Sequence, residues 1–210
     1  VHNAVPLAGM AAVALHCRLK RVPYCVTTHG ISKIPKIPEE LGLSRAQRLV
    51  FEQMFLRVYK QILSNADHLF ALSEKDEDQI NEWFPGQSVS VLPNGVDLNG
   101  ATGKEATTSE DGESEKPMLL FVGRLMASKG VDDLLEAFGH LNYDCKLVIV
   151  GPIRDEHYRD RIAKLGNNVE YRGYVDQQTL DCLYRDADLF VFPTRSDVFP
   201  LVTLEAMAAG

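Results

Sequence analysis

Residues 118–130 read MLLFVGRLMASKG, a short apolar run that passes into a polar loop. The first five are continuously apolar, which is typical of a strand buried on both faces. Gly123 ends the run, and Arg124 and Lys129 follow it. Apolar side chains then recur at helical spacing over 131–140. The stretch therefore predicts a strand, a loop with two cations at the strand's carboxyl end, and a helix.

The same alternation extends in both directions along the chain. Further strands are predicted over 24–28, 69–72, 88–92, 146–150, 168–171 and 189–192. Helices are predicted over 6–18, 44–63, 74–84, 156–165 and 177–186, and from about residue 200 onwards. Alternating helices and apolar strands predict an α/β fold with doubly wound parallel sheets, whose ligands bind beyond the carboxyl ends of the strands.

The chain is expected to contain two domains joined by an acidic segment. Residues 98–117 carry mostly acidic, small and polar side chains, so they are interpreted as a solvated linker. They separate a domain over 1–97 from one over 118–210. The first residue is a valine and the last lies within a predicted helix, so both domains are expected to be incomplete.

Composition excludes several classes of function. Lys and Arg number 22 against 29 Asp and Glu, giving a net charge of −7, so a nucleic-acid partner is not expected. No apolar run approaches the roughly 20 residues that span a bilayer.

Several motifs are absent: nucleotide-binding GxGxxG, metal-binding HExxH and nucleophilic GxSxG. The histidines also lack zinc-ligand spacing, so no metal site is predicted. The four cysteines form no CxxC pair, which favours a cytoplasmic location.

Residues 193–210, PTRSDVFPLVTLEAMAAG, follow the last predicted strand and place two carboxylates near a helix start. Pro200 suits the first helical position, where its missing N–H costs nothing. Asp197 precedes the helix, and Glu205 lies about one turn inside it among small apolar residues. A carboxylate in that setting needs a partner, and a ribose with two vicinal hydroxyls is one. A diphosphate at this edge of the sheet would also meet Arg124 and Lys129, each contact contributing up to about 4 kcal/mol before desolvation.

Taken together, these motifs resemble a known family. Gly123-Arg124, Lys129-Gly130, and Asp197 followed by Glu205 in EAMAxG are similar to the motifs of the retaining GT-B glycosyltransferases of family four, glycosyl transferases group 1. The resemblance continues through TTHG at 27–30, the segment 67–73 and LPNGVD at 92–97. It implies a GT-B architecture: two Rossmann-like domains that bind a nucleotide-diphosphate sugar, here incomplete at both termini.

The resemblance also implies site residues. Arg124 and Lys129 would bind the donor diphosphate, and Glu205 the ribose. His29 and Asp197 would be the catalytic residues, both beside the donor sugar. The donor ribose and sugar site would further include Phe199, Pro200, Leu201 and Val202. Two departures stand out: Asp197 replaces the family's usual and longer Glu, and Pro200 replaces a common Gly.

The implied activity is that of a hexosyltransferase in carbohydrate biosynthesis. It would move a sugar to a hydroxyl of a glycan, a lipid-linked acceptor or a small molecule, with retention of anomeric configuration and without metal or cofactor. Two alternatives stay open: a non-catalytic nucleotide-sugar-binding module, and a GT-B sugar-nucleotide epimerase or phosphorylase. The basic, amphipathic stretch 31–60 could touch a membrane peripherally, although a core helix with a charged outer face explains it as well.

Overall fold

The computed structural model describes residues 7–28, 30–31, 42–96, 116–197 and 199–210. The chain divides into two compact units, Val1–Asn94 and Gly95–Gly210. They are the N-terminal unit and the C-terminal unit.

The N-terminal unit contains a three-stranded parallel sheet. Its strands are β1 (Cys25–Thr27), β2 (His68–Ala71) and β3 (Val89–Val91), in the spatial order β1-β2-β3. Its helices are α1 (Leu7–Lys20), α2 (Arg45–Val50), α3 (Arg57–Ser64) and α4 (Glu74–Trp83), with a π-helical segment, Phe51–Leu56, between α2 and α3. Strands and helices alternate as the sequence predicts.

The single helix predicted over 44–63 differs in two details. Ser44 is the N-cap rather than a helical residue: its hydroxyl accepts from the Gln47 N–H, and the Gln47 side chain accepts in return from the Ser44 N–H. This capping box starts the helix at Arg45. The π-helical segment then widens the turn, and the rings of Phe51 and Phe55 stack there with centroids 4.5 Å apart. Apolar spacing reveals neither feature.

A buried carboxylate joins β1 to α4. Asp76 lies in the first turn of α4, is 2% exposed, and accepts hydrogen bonds from the Thr28 hydroxyl at 3.0 Å and the Ile31 N–H at 3.1 Å. Both donors are themselves buried. The carboxylate thus satisfies two groups, on either side of position 29, that water cannot reach.

Asp76→Ala is expected to lower the free energy of unfolding of the N-terminal unit by about 2 kcal/mol, because the buried Ile31 N–H loses its acceptor and the Thr28 hydroxyl keeps only the Phe70 carbonyl, at 3.2 Å. Urea unfolding followed by the fluorescence of Trp83, the single tryptophan, reports on this unit. Asp78→Ala removes an exposed carboxylate from the same helix and should cost less than about 0.5 kcal/mol. Equal losses in the two variants would contradict this role of Asp76.

The C-terminal unit contains a four-stranded, all-parallel sheet with the spatial order β6-β5-β4-β7. Its strands are β4 (Met118–Val122), β5 (Lys146–Val150), β6 (Val169–Gly173) and β7 (Leu189–Phe190). Its helices are α5 (Val131–Gly139), α6 (His157–Lys164), α7 (Gln177–Asp186) and α8 (Leu201–Ala209). β7 ends two residues earlier than predicted, although the Val191 N–H still donates to the Leu120 carbonyl at 2.9 Å.

Helices cover this sheet on both faces. Phe121 and Ile149 pack on the face that carries Leu134 of α5 and Tyr158 of α6. The alternate strand residues pack on the opposite face, against α7 and α8; that cluster comprises Leu120, Val122, Val148, Val150, Leu183, Tyr184 and Ala209. Burial on both faces is what the continuously apolar strands predict. The doubly wound α/β fold is confirmed.

The strand order places a topological switch point between β4 and β7. From β4 the chain proceeds to β5 and β6 on one side, and then returns to β7 on the other. In open α/β sheets, ligands bind in the crevice beyond the carboxyl ends of the strands at such a point. The loops that begin there are 123–130 after β4 and 191–200 after β7. These loops contain the cations and one of the carboxylates that the sequence singles out.

Of the basic stretch 31–60, the structure describes residue 31 and residues 42–60. Leu49, Val50 and Met54 are exposed on its helical part. Within the described part of the chain, no helix is both long enough and apolar enough to cross a bilayer. Peripheral membrane contact through 31–60 stays a prediction, and residues 32–41 lie outside the described residues.

Candidate functional site

The loop after β4 is held in a defined shape. Leu125 is fully buried and anchors it, while Arg124 is exposed. A short 3-10 turn, Ala127–Lys129, leads to Gly130, whose φ of +69° lies in the left-handed region. Gly130 then begins α5 as its N-cap. Because both ends of the loop are fixed, Lys129 has little freedom of position.

Lys129 and Asp197 form the central contact of the site. The Lys129 ammonium lies 2.5 and 2.6 Å from the two oxygens of the Asp197 carboxylate. Only 14% of the lysine side chain and 15% of the aspartate side chain are exposed. The ammonium also lies 5.7 Å from the centroid of the Phe192 ring. The structure thus joins the predicted diphosphate-binding lysine to the predicted sugar-binding carboxylate across the switch point.

Further bonds order the loop after β7 and tie it to the loop after β4. Within the loop after β7, the Thr194 hydroxyl donates to Asp197 Oδ2 at 2.6 Å. Between the two loops, the Arg195 N–H donates to the Ser128 carbonyl at 3.0 Å. The Arg195 guanidinium binds both oxygens of Asp133 in α5, at 2.6 and 2.7 Å from Nη2. The Lys129–Asp197 pair is therefore positioned by two loops that are bonded to each other.

The start of α8 differs from its prediction. Pro200 is the N-cap, with φ −75° and ψ 119°, and the helix begins at Leu201. The prediction that Pro200 occupies the first helical position is therefore wrong by one residue. The ψ angle explains it, since the proline ring fixes only φ and leaves ψ free to be extended.

Glu205 lies in α8 and has a protein partner. The Tyr184 hydroxyl, from α7, donates to Glu205 Oε2 at 2.9 Å. Glu205 is half-buried, and Tyr184 is 7% exposed. Burial, and secondly the negative charge of Glu205, raise the pKa of Tyr184 far above its ordinary value. The phenol therefore stays protonated and remains a donor. The sequence predicts that the Glu205 carboxylate needs a partner. Within the protein, that partner is the Tyr184 hydroxyl.

The predicted site residues fall into three groups. Lys129 and Asp197 are in direct contact, and Arg124 shares the Lys129 loop. The predicted ribose and sugar residues lie around the start of α8: Phe199, Pro200 and Val202 are half-buried, and Leu201 is exposed. His29, the predicted catalytic histidine, lies outside the described residues. Within the described ranges, no three His, Cys, Asp or Glu side chains cluster in a way that could hold a metal ion.

Sequence reasoning missed three residues that support the site. Thr194 and Arg195 bond the loop after β7, and Tyr184 bonds Glu205. Tyr184 lies in the helix predicted over 177–186, where it shares one face with Leu180 and Leu183, and that spacing predicts only a packing role. The one available signal was its hydroxyl, since a tyrosine buried on such a face usually finds a hydrogen-bond partner.

Comparison with known proteins gives a consistent result over the whole chain. Residues 104–210 match the family Glycosyl transferases group 1, and residues 1–99 match Glycosyltransferase Family 4. TuaC of Bacillus subtilis strain 168, a protein named as a glycosyltransferase of teichuronic acid biosynthesis, is 29% identical over 212 residues. That alignment covers 99% of this chain and 49% of TuaC. The chain thus spans about half the length of the curated relatives it matches.

Two solved structures share the fold. Sucrose-phosphate synthase from Thermosynechococcus elongatus superposes with a TM-score of 0.74 at 25% identity, over 95% of this chain and 52% of the synthase. Anabaena Alr3699/HepE in complex with UDP-glucose gives a TM-score of 0.72 at 20% identity, over 97% of this chain and 56% of HepE. Both sheets are parallel and the fold is that of GT-B glycosyltransferases. With a family match over half its length, the chain belongs to the glycosyl transferases group 1 family.

Proposed function

We propose that this protein is a hexosyltransferase that moves a sugar from a nucleotide-diphosphate donor to an acceptor hydroxyl. The observation that carries the proposal is the Lys129–Asp197 contact, which brings a cation and a carboxylate together at the switch point of the C-terminal sheet. Family membership supports a sugar-transfer reaction. A sugar-transfer site at this edge of the C-terminal sheet needs positive charge to bind the diphosphate and hydrogen-bond acceptors to bind the sugar hydroxyls.

The two cations have distinct settings in this proposal. Arg124 is exposed and free to approach a phosphate, whereas Lys129 is paired with Asp197 before any donor binds. The diphosphate would therefore share or replace Asp197 as the partner of the Lys129 ammonium. Asp197 would then accept from sugar hydroxyls, and Glu205 from the ribose. Positive charge at the diphosphate also stabilises the leaving group as the glycosidic bond breaks.

Retention of anomeric configuration and transfer without a metal or cofactor are part of the proposal. The resemblance to the retaining GT-B family supports both. Two basic side chains at the diphosphate can supply the charge that a divalent cation supplies in other transferases. His29 is proposed to contact the donor sugar near the reacting carbon.

The donor is proposed to carry UDP, GDP or ADP. HepE, which shares the fold, was crystallised with UDP-glucose, so UDP is the first nucleotide to test. The acceptor would be a glycan, a lipid-linked sugar or a small molecule with a free hydroxyl. No nucleic-acid partner is proposed, because the net charge is −7.

Calorimetric titration of the chain with UDP, GDP and ADP tests the proposal directly. We expect at least one to bind, and to bind at least about tenfold more tightly than its nucleoside, because the diphosphate adds charged contacts. Binding to none of the three by a folded chain would contradict the proposal. Product analysis then separates the alternatives, since an epimerase needs no acceptor and a non-catalytic module leaves the donor intact.

A further inference from the structure

Tyr184 and Glu205 form a hydrogen bond that the proposed donor site does not explain. The tyrosine ring is buried in the cluster between the sheet and the helices α7 and α8, where its centroid lies 5.8 Å from that of Phe190. Its hydroxyl, the one polar group of the side chain, ends on Glu205 Oε2. Packing fixes the ring, so the position of the hydroxyl is fixed as well.

The direction of this bond is also fixed. The pKa of Tyr184 is raised by burial and by the neighbouring carboxylate, so the phenol keeps its proton throughout the ordinary pH range. The phenol therefore donates and Glu205 accepts. Only one of the two carboxylate oxygens is engaged in this bond, and each such oxygen has two lone pairs. Glu205 consequently keeps acceptor capacity for further donors.

We propose that Tyr184 is a positioning residue that holds the Glu205 carboxylate for the two hydroxyls of the donor ribose. The inference rests on the proposed function, in which Glu205 binds the ribose. A glutamate side chain loses considerable rotational freedom when it is ordered, and a ligand that must order it binds more weakly. A hydrogen bond from a packed tyrosine orders the carboxylate in advance, as a supporting residue does in a preorganised site.

A purely structural role makes a different prediction. If Glu205 served only to satisfy the buried phenol, loss of the hydroxyl would change stability and leave nucleotide selectivity unchanged. A positioning role predicts a loss confined to ligands that carry ribose hydroxyls. The discriminating quantity is the ratio of affinities for a nucleoside diphosphate and its 2′,3′-dideoxy counterpart.

The experiment compares wild type with Tyr184→Phe, which keeps the ring and removes only the hydroxyl. Calorimetry is carried out with UDP, GDP and ADP and with the three 2′,3′-dideoxy diphosphates. Wild type should prefer the ribonucleotide that it binds by about tenfold or more, because two hydroxyls bond a charged acceptor. Tyr184→Phe should reduce that preference about threefold or more, through weaker ribonucleotide binding and unchanged dideoxynucleotide binding.

Tyr158→Phe is the matched control. Tyr158 is also buried in the C-terminal unit, and its hydroxyl also donates to a carboxylate, that of Asp132, at 2.8 Å. Its removal should leave the ribose preference at the wild-type value. In a Glu205→Ala background the preference should be small, and adding Tyr184→Phe should not reduce it further.

Three results would overturn the inference and leave the proposed function in place. An unchanged ribose preference in Tyr184→Phe would show that the hydroxyl has only a structural role. Equal losses for ribo- and dideoxynucleotides would show a general disturbance of the site. A wild type that binds diphosphates without any ribose preference would remove the role of Glu205 while leaving the proposed donor binding intact. Failure of the wild type to bind any diphosphate would instead refute the proposed function, and this inference with it.

Discussion

Replacement of Lys129 by alanine is expected to weaken nucleoside diphosphate binding about a hundredfold, or about 2.7 kcal/mol, and to leave nucleoside binding almost unchanged. Part of that loss is the missing charge-assisted bond to phosphate. The remainder arises at Asp197, because the variant removes the ammonium that lies 2.5 Å from its carboxylate. A negative charge that is mostly buried and has lost this cation repels an incoming diphosphate.

The two contributions can be separated with a double-mutant cycle. Asp197→Asn alone should strengthen diphosphate binding a few-fold, because the Lys129 ammonium then has one competitor fewer. Lys129→Ala with Asp197→Asn should recover about tenfold of the affinity lost in Lys129→Ala alone. Calorimetry with UDP and uridine, or with whichever base the chain prefers, measures all four proteins.

Lys164→Ala is the matched control, since it removes an exposed lysine from α6 in the same unit. It lowers the net charge equally and should change diphosphate affinity less than twofold. Equal losses of UDP and uridine binding in Lys129→Ala would contradict a role at the diphosphate. Full additivity of the two substitutions would show that Asp197 does not compete for Lys129.

The elements of the C-terminal unit were predictable because local signals agree there. Strands 118–122 and 146–150 and helix 177–186 have the predicted bounds: apolar runs end at Gly123 and Gly151, and Asp176 caps the helix. β7 was overestimated because Val191 and Phe192 are apolar, although the chain turns into the loop there. Local sequence shows apolar runs and the residues that interrupt helices and strands. It therefore predicts where an element lies better than it predicts the residue at which the element ends.

The pairings within the candidate site were not predictable in the same way. Motif resemblance assigned Lys129 and Asp197 to two parts of one ligand, but their contact joins positions 68 apart in the chain. It exists because β4 and β7 are neighbours in the sheet. Tyr184 and Glu205 lie 21 positions apart and meet because α7 and α8 cover the same face. Only the three-dimensional structure shows that Lys129, Asp197 and Glu205 are already engaged with protein partners.

Gly130→Ala is expected to lower the free energy of unfolding of the C-terminal unit by about 3 kcal/mol or more. At φ +69° an alanine pays a conformational cost of about 1 kcal/mol. A β-carbon at this position would also lie 1.9 Å from the Pro193 carbonyl oxygen and 2.7 Å from its carbon. Both are backbone atoms, so no side chain can move aside to relieve the clash.

Comparison with Gly166→Ala separates the steric clash from the conformational cost of an alanine at positive φ. Gly166 has φ +73° in the same unit, and a β-carbon there would meet nothing within 4 Å. It should therefore lose only about 1 kcal/mol. The urea dependence of hydrogen exchange in peptides from β4 and β5 measures the free energy of unfolding of both variants.

Relief of the clash must separate Gly130 from Pro193. Because the loops that carry Lys129 and Asp197 then move apart, Gly130→Ala should also lose diphosphate affinity. Equal stability losses in the two variants, or wild-type UDP binding by a folded Gly130→Ala protein, would show that this close approach does not hold the site together.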